Sequence, residues 1–161
     1  MAQLILLRHA KAESSSSTGR DFDRGLTERG HRDAAIMGRV LAQAGYVPDL
    51  VIVSSARRTL ETWQGVAPAF PDADVEESRA LYLATREQLA EAAEEGLSAG
   101  SVMIIGHNPG LHELALMMVG AGPDKLDGFP TAAAAVFEIL AGKPPLLQRM
   151  LVPRDHGGGS L

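Results

Sequence analysis

Short unbroken apolar runs alternate along this chain with longer stretches whose apolar residues recur at helical spacing. Gln3 to Leu7, Leu50 to Val53 and Ser101 to Ile105 are such runs. Too short for buried helices and β-branched in part, they read as strands covered on both faces. Ala133 to Leu140 and Leu147 to Val152 read as two more strands, joined by a Gly142-Lys143-Pro144-Pro145 turn, and Asp74 to Glu77 as a short edge strand. Helices fill the intervals. Thr27 is placed as an N-cap with Glu28 in the first turn, and Gly45 and Pro48 stop a helix that carries Ala34, Ala35, Val40 and Leu41. A second helix runs from about Ala56 to before Pro68. A third, Arg86 to Leu97, sets Leu89, Ala93 and Leu97 on one side and Glu87, Glu91 and Glu95 on another. Asn108-Pro109 reads as an N-cap followed by proline at the first helical position, and Gly120 ends that helix.

Strands alternating with helices predict an α/β fold: one three-layer domain with a mostly parallel central sheet, helices on both faces and an antiparallel strand at its C-terminal edge. The 161 residues suit a single domain with a sizeable core. That domain is placed over residues 1–156, with 157–161 as a flexible tail. Lys11 to Arg24 reads as a polar loop, and its serines Ser14 to Ser17 have no apolar face to bury.

Composition narrows the chemistry. Hydrophobic residues are 45% and charged residues 22%, so the chain is not a disordered one. There is no cysteine, which excludes disulfides, thiolate metal sites and a Cys nucleophile. A net charge of -5 argues against a nucleic-acid partner. No apolar run is long enough for a membrane helix, and Arg8 cuts the first one short of a signal peptide, so a cytoplasmic protein with no membrane partner is expected.

In open α/β sheets ligands bind beyond the carboxyl ends of the strands. The first strand here ends in Arg8-His9, the second in Ser54-Ser55 leading to Arg57-Arg58, and the third in Gly106-His107-Asn108 before a helix. Two histidines, up to three arginines and a helix N-terminus then converge. Arginine offers forked bonds to phosphate oxygens, backbone N–H groups add donors, and a neutral imidazole can attack phosphorus. Plainer readings exist for individual residues. Arg8 alone could be a strand-end charge, and His107 alone a cap or core histidine. Arg57 and Arg58 are adjacent and cannot share one helix face. Lys11 fits a pocket mouth or an exposed loop equally well. His31 and His112 fall on helices and read as surface or interface residues. His107 and His112 are five apart, the wrong spacing for a zinc-binding helix. Met117-Met118 reads as core.

Four segments, in order, resemble one family. Leu7-Arg8-His9-Ala10 is similar to the Arg-His-Gly signature of the histidine phosphatase (phosphoglycerate mutase-like) superfamily. Asp23-Arg24-Gly25-Leu26-Thr27-Glu28-Arg29-Gly30 resembles its Leu-Thr-x-x-Gly helix entry. Ser54 to Thr62 resembles Ser-Pro-x-x-Arg-Ala-x-x-Thr, and Ile105-Gly106-His107-Asn108-Pro109 resembles the second-histidine motif. Phe129-Pro130-Thr131 also fits. Arg-His-Ala-Lys-Ala and Gly-His-Asn-Pro-Gly point to the short branch that includes the phosphohistidine phosphatase SixA. The resemblance implies that His9 is a nucleophile that transiently carries a phosphoryl group, with its other ring nitrogen donating to a backbone carbonyl. Arg8 and Arg58 would clamp phosphoryl oxygens, His107 would be a charged donor and Asn108 a substrate-binding residue. It implies no cofactor and no metal.

Three departures from the family pattern stand out. Ala10 replaces a glycine, Ser55 replaces a proline, and no acidic residue falls where a proton donor to the leaving group would lie. That region is covered by Glu77-Ser78-Arg79-Ala80-Leu81-Tyr82, in which Glu77 is the candidate substitute. A missing acid favours a leaving group that departs easily, such as the imidazole of phosphohistidine. The expected activity is metal-independent removal of phosphate from protein phosphohistidine. The alternatives are a phosphatase of a small phosphorylated metabolite, or a phosphate-binding regulatory module without turnover. Oligomeric state is not legible in the sequence.

Overall fold

The computed structural model describes residues 2–120, 126 and 128–159. Six strands form one sheet in the order β3-β2-β4-β1-β5-β6. They are β1 (Ala2–Arg8), β2 (Leu50–Ser54), β3 (Asp74–Ser78), β4 (Val102–Gly106), β5 (Ala134–Ile139) and β6 (Leu146–Leu151). The first four run parallel, and β5 is antiparallel to both of its neighbours, β1 and β6. This is the expected mostly parallel sheet with an antiparallel hairpin at one side. Four helices cover it: α1 (Glu28–Gln43), α2 (Arg57–Val66), α3 (Arg86–Gly96) and α4 (Gly110–Val119).

The unbroken apolar runs arise because side chains alternate between two covered faces. Leu4, Leu6, Ile52, Val102 and Ile104 pack with Leu89 and Ala93 of α3 and Leu111 and Leu114 of α4. Ile5, Leu7, Val51, Val53, Met103 and Ile105 pack on the other face with Ala34, Met37 and Leu41 of α1 and Val66 of α2. β3 is an edge strand with only Ser78 part-buried, as its alternating polar sequence predicts. Met117 does not join the core: it is half exposed near the C-terminal end of α4, because the stripe that α4 buries is Leu111, Leu114 and Ala115. Among the described residues, no helix is long and apolar enough to cross a membrane.

Local signals hold at most helix ends. The Thr27 hydroxyl accepts from the Gly30 N–H, and Thr85 with Gln88 makes a reciprocal capping pair before α3. The start of α4 differs from the sequence reading. Helix α4 begins at Gly110, Pro109 is the cap residue behind a cis Asn108-Pro109 peptide, and no side chain caps it. The Asn108 amide instead donates to the Phe129 carbonyl at 2.9 Å. The described part of the tail is tied down, since Gly159 N–H donates to the buried Asp33 carboxylate at 2.9 Å. Residues 160 and 161 of that tail lie outside the described residues.

Candidate active site

The strand order places the ends of β1, β4 and β2 side by side. One cleft of about 380 Å³ opens there, lined by Arg8, His9, Arg58, His107 and Asn108 together with Lys11, Asp21, Arg24, Leu83 and Thr131. The sequence-predicted residues therefore converge. Arg57 points elsewhere: it pairs with Glu61 at 3.0 Å and is mostly exposed, whereas the Arg58 side chain is 3% exposed. His31 is exposed beside Glu61, and His112 contacts the Leu126 carbonyl outside the cleft. Lys11 lines the cleft and is exposed, so both of its readings hold.

His9 is held from several sides. Its backbone N–H donates to the Gly106 carbonyl and its carbonyl accepts from Ala132 N–H. The Ala10 N–H donates to the Thr62 hydroxyl at 2.9 Å, and that hydroxyl donates to the Arg58 carbonyl at 2.7 Å. Thr62 thus ties the loop after His9 to the helix that carries Arg58. Ala132 holds φ 60 while fully buried, a left-handed conformation that an L side chain pays for with strain. Gly30 is required nearby, because a Cβ there would press into the Lys11 carbonyl. That explains the glycine of the Leu-Thr-x-x-Gly segment.

The His9 Nδ1 lies 2.7 Å from the Ala10 carbonyl. A carbonyl only accepts, so Nδ1 carries the proton and Nε2 keeps its lone pair. Burial, followed by the charges of Arg8, Arg58 and Arg24, lowers the His9 pKa to about 4. The ring is neutral at neutral pH.

His107 sits 5.5 Å from His9, ring centre to ring centre. Burial and the Arg58 charge push it down to about 3. The protein alone therefore holds His107 neutral, where the resemblance implies a charged donor. Its Nε2 lies 2.8 Å from the Ser54 hydroxyl, which already accepts from Ala56 N–H. That hydroxyl can donate to Nε2, leaving the proton on Nδ1, which has no partner among the described residues. His107 is then a neutral donor.

The two guanidinium groups are positioned differently. Arg8 donates to the Phe129 carbonyl at 3.1 Å, the same carbonyl that takes the Asn108 amide, and its buried Nε has no partner among the described residues. Burial and the neighbouring Arg58 charge lower its pKa. Arg58 donates through both terminal nitrogens to Asp21, at 2.9 Å to the backbone carbonyl and 3.0 Å to the carboxylate. Two cations this close and this buried favour an anion between them.

Glu77 is not the missing acid. It is exposed on β3, paired with Val53 across the strands, and lines a separate cavity with Leu50, Ile52 and Glu95. The carboxylate that does reach the cleft is Asp21, in a 3-10 turn (Asp21–Asp23) inside the polar loop. Sequence reasoning missed it because a loop carboxylate has no periodicity to place it. Its Oδ2 takes Arg58 and the Tyr82 hydroxyl, and its Oδ1 takes Arg24 at 2.9 Å. These bonds hold its carboxyl well below the usual carboxylate range.

The sequence profile of the histidine phosphatase superfamily, branch 1, matches residues 4–91. An uncharacterised chloroplastic protein of Arabidopsis thaliana is 36% identical over 130 residues, covering 74% of this chain, and the match spans 60% of that relative's length. A solved structure from Agrobacterium tumefaciens, provisionally assigned as the phosphohistidine phosphatase SixA, superposes with a TM-score of 0.87 at 34% identity, covering 94% of this chain and 98% of that one. A second structure so assigned, from Nakamurella multipartitia, gives 0.78 at 30% identity over 94% and 96% of the two chains. With the profile, the fold and the two-histidine cleft in agreement, this chain belongs to the histidine phosphatase superfamily.

Proposed function

We propose that this protein is a metal-independent phosphatase that works through a covalent phosphohistidine on His9 and removes phosphate from protein phosphohistidine. The observation that carries the proposal is the 2.7 Å contact of His9 Nδ1 with the Ala10 carbonyl, which fixes Nε2 as the free lone pair in a cleft with two arginines. Nε2 attacks phosphorus as the bond to the leaving group breaks. Water then takes the phosphoryl group and regenerates the neutral imidazole. Arg8, Arg58 and the Nδ1 proton of His107 hold the non-bridging oxygens through both steps, where positioning and charge stabilisation supply most of the rate. Asn108, its amide fixed on Phe129, presents beside that site a buried Oδ1 without a partner among the described residues. The two relatives assigned as SixA support phosphohistidine as the substrate class.

The test is phosphate release from a phosphohistidine-bearing protein domain with EDTA present, comparing wild type with His9→Ala. Release by the wild type that vanishes in the variant is the expected result. Turnover of p-nitrophenyl phosphate without release from the protein domain would keep the mechanism and move the substrate to small molecules. Loss of activity in EDTA would overturn metal independence.

A further inference from the structure

Asp21 is the one carboxylate among the described residues that line the cleft, and it occupies the fork of Arg58. A phosphoryl oxygen seeking that fork meets a resident anion. Asp21 is also anchored by Arg24 on its other oxygen and by Tyr82, whose ring packs edge-on against His107 at 5.5 Å. With a carboxyl held well below the usual range, it is an anion at any working pH and has no proton to give. A fixed negative charge at the phosphoryl site, with no other carboxylate among the described residues that line it, suits a substrate that brings its own proton and its own positive charge.

We propose that Asp21 is a specificity-determining residue that selects N-phosphoryl substrates, whose leaving group enters protonated, over O-phosphoryl substrates. The proposal rests on the phosphatase reading above and names the residue that sets its substrate class. In a phosphoimidazole the ring nitrogen remote from phosphorus can carry a proton, which makes the ring a cation. The lone pair of His9 Nε2 forms the new N–P bond. The electron pair of the scissile P–N bond returns to the leaving ring, which departs as neutral imidazole and keeps its proton. Positive charge passes from the substrate ring to the His9 ring, and no protein group donates a proton. The Asp21 carboxylate favours the cationic ring and disfavours p-nitrophenolate, which leaves as an anion.

The test compares wild type and Asp21→Asn, which keeps an oxygen for Arg58, with phosphoimidazole and p-nitrophenyl phosphate as substrates. The ratio of kcat/KM values, N-phosphoryl over O-phosphoryl, is expected to fall by about tenfold or more, an effect in the range of one unit charge a few ångströms away at a protein surface. An unchanged ratio would overturn the proposal, as would a greater loss on the O-phosphoryl substrate. Inorganic phosphate, which has no leaving group, supplies a readout independent of turnover. Calorimetric binding is expected to tighten in Asp21→Asn because the competing anion is gone. Weaker binding would overturn the proposal by making Asp21 a mere prop for Arg58. Failure of the phosphatase reading itself shows separately, as turnover that survives His9→Ala.

Discussion

Lowering the pH from 7 to 5 should destabilise this protein through two buried histidines. His9 and His107 are 7% and 2% exposed, and their pKa values are lowered to about 4 and about 3 against 6.5 for a free ring. The unfolded chain therefore takes up protons first as the pH falls, and stability declines with it. At pH 5 an unfolded histidine is almost fully protonated while both folded rings remain neutral. The linkage cost over the interval is about 1.8 kcal/mol per ring, or roughly 4 kcal/mol for the pair. That is a large share of a typical domain stability of about 5–15 kcal/mol. The carboxylates with lowered values, Asp21, Glu61 and Glu87, lose most of their contribution at more acidic pH, so the interval reports chiefly on the histidines. Urea denaturation at pH 7 and pH 5 of wild type, His9→Gln and the double variant with His107→Gln measures the effect. Each substitution should reduce the pH-induced loss by about 1.8 kcal/mol. Equal losses in all three proteins would sink the reasoning.

Two further predictions follow from the packing around the loop after His9. Thr62→Val leaves the buried Ala10 N–H without a partner, at a cost of about 1–3 kcal/mol in urea denaturation. Phosphate release should slow as well, since His9 and Arg58 are no longer coupled, and a loss under ~0.5 kcal/mol would show that the bond is dispensable. Gly30→Ala drives a methyl group into the Lys11 carbonyl and should cost about 1–3 kcal/mol, whereas Gly128→Ala, with open space around it, should be neutral within about 0.5 kcal/mol. Similar effects of the two alanines would contradict this account.

Much of the architecture was legible because it rests on local pattern. Leu4 to Leu7, Leu50 to Val53 and Val102 to Ile105 are unbroken because both faces are covered, and Thr27 caps α1 through its hydroxyl. The cleft residues were legible because strand ends are fixed by strand runs, which put Arg8, His9, Ser54 and His107 at one edge. What failed depends on contacts distant in sequence. Asn108 has a good cap sequence, but its amide is claimed by Phe129. Glu77 lies close along the chain to the expected acid position, yet it sits on an exposed edge strand away from the cleft. The charge state of His107 follows from burial and from Arg58, neither of which can be read from the residues around it. Asp21 and its four polar contacts belong to a loop in which no periodicity exists to be read.

The pairing of β1 bears on how the site is made during synthesis. Its backbone is bracketed by β4 on one edge and β5 on the other, with Leu4 opposite Val102 and Phe137. A ribosome delivers the strand leading to His9 long before either partner, so this very apolar segment waits, unpaired on both edges, until most of the chain has emerged. Pairings so distant along the chain form slowly and leave such a segment open to sticking to other chains in the interval. The His9 motif is thus translated early and assembled late: a nascent chain that stops before β5 has that motif, Arg58 and His107 but lacks the strand that closes the free edge of β1.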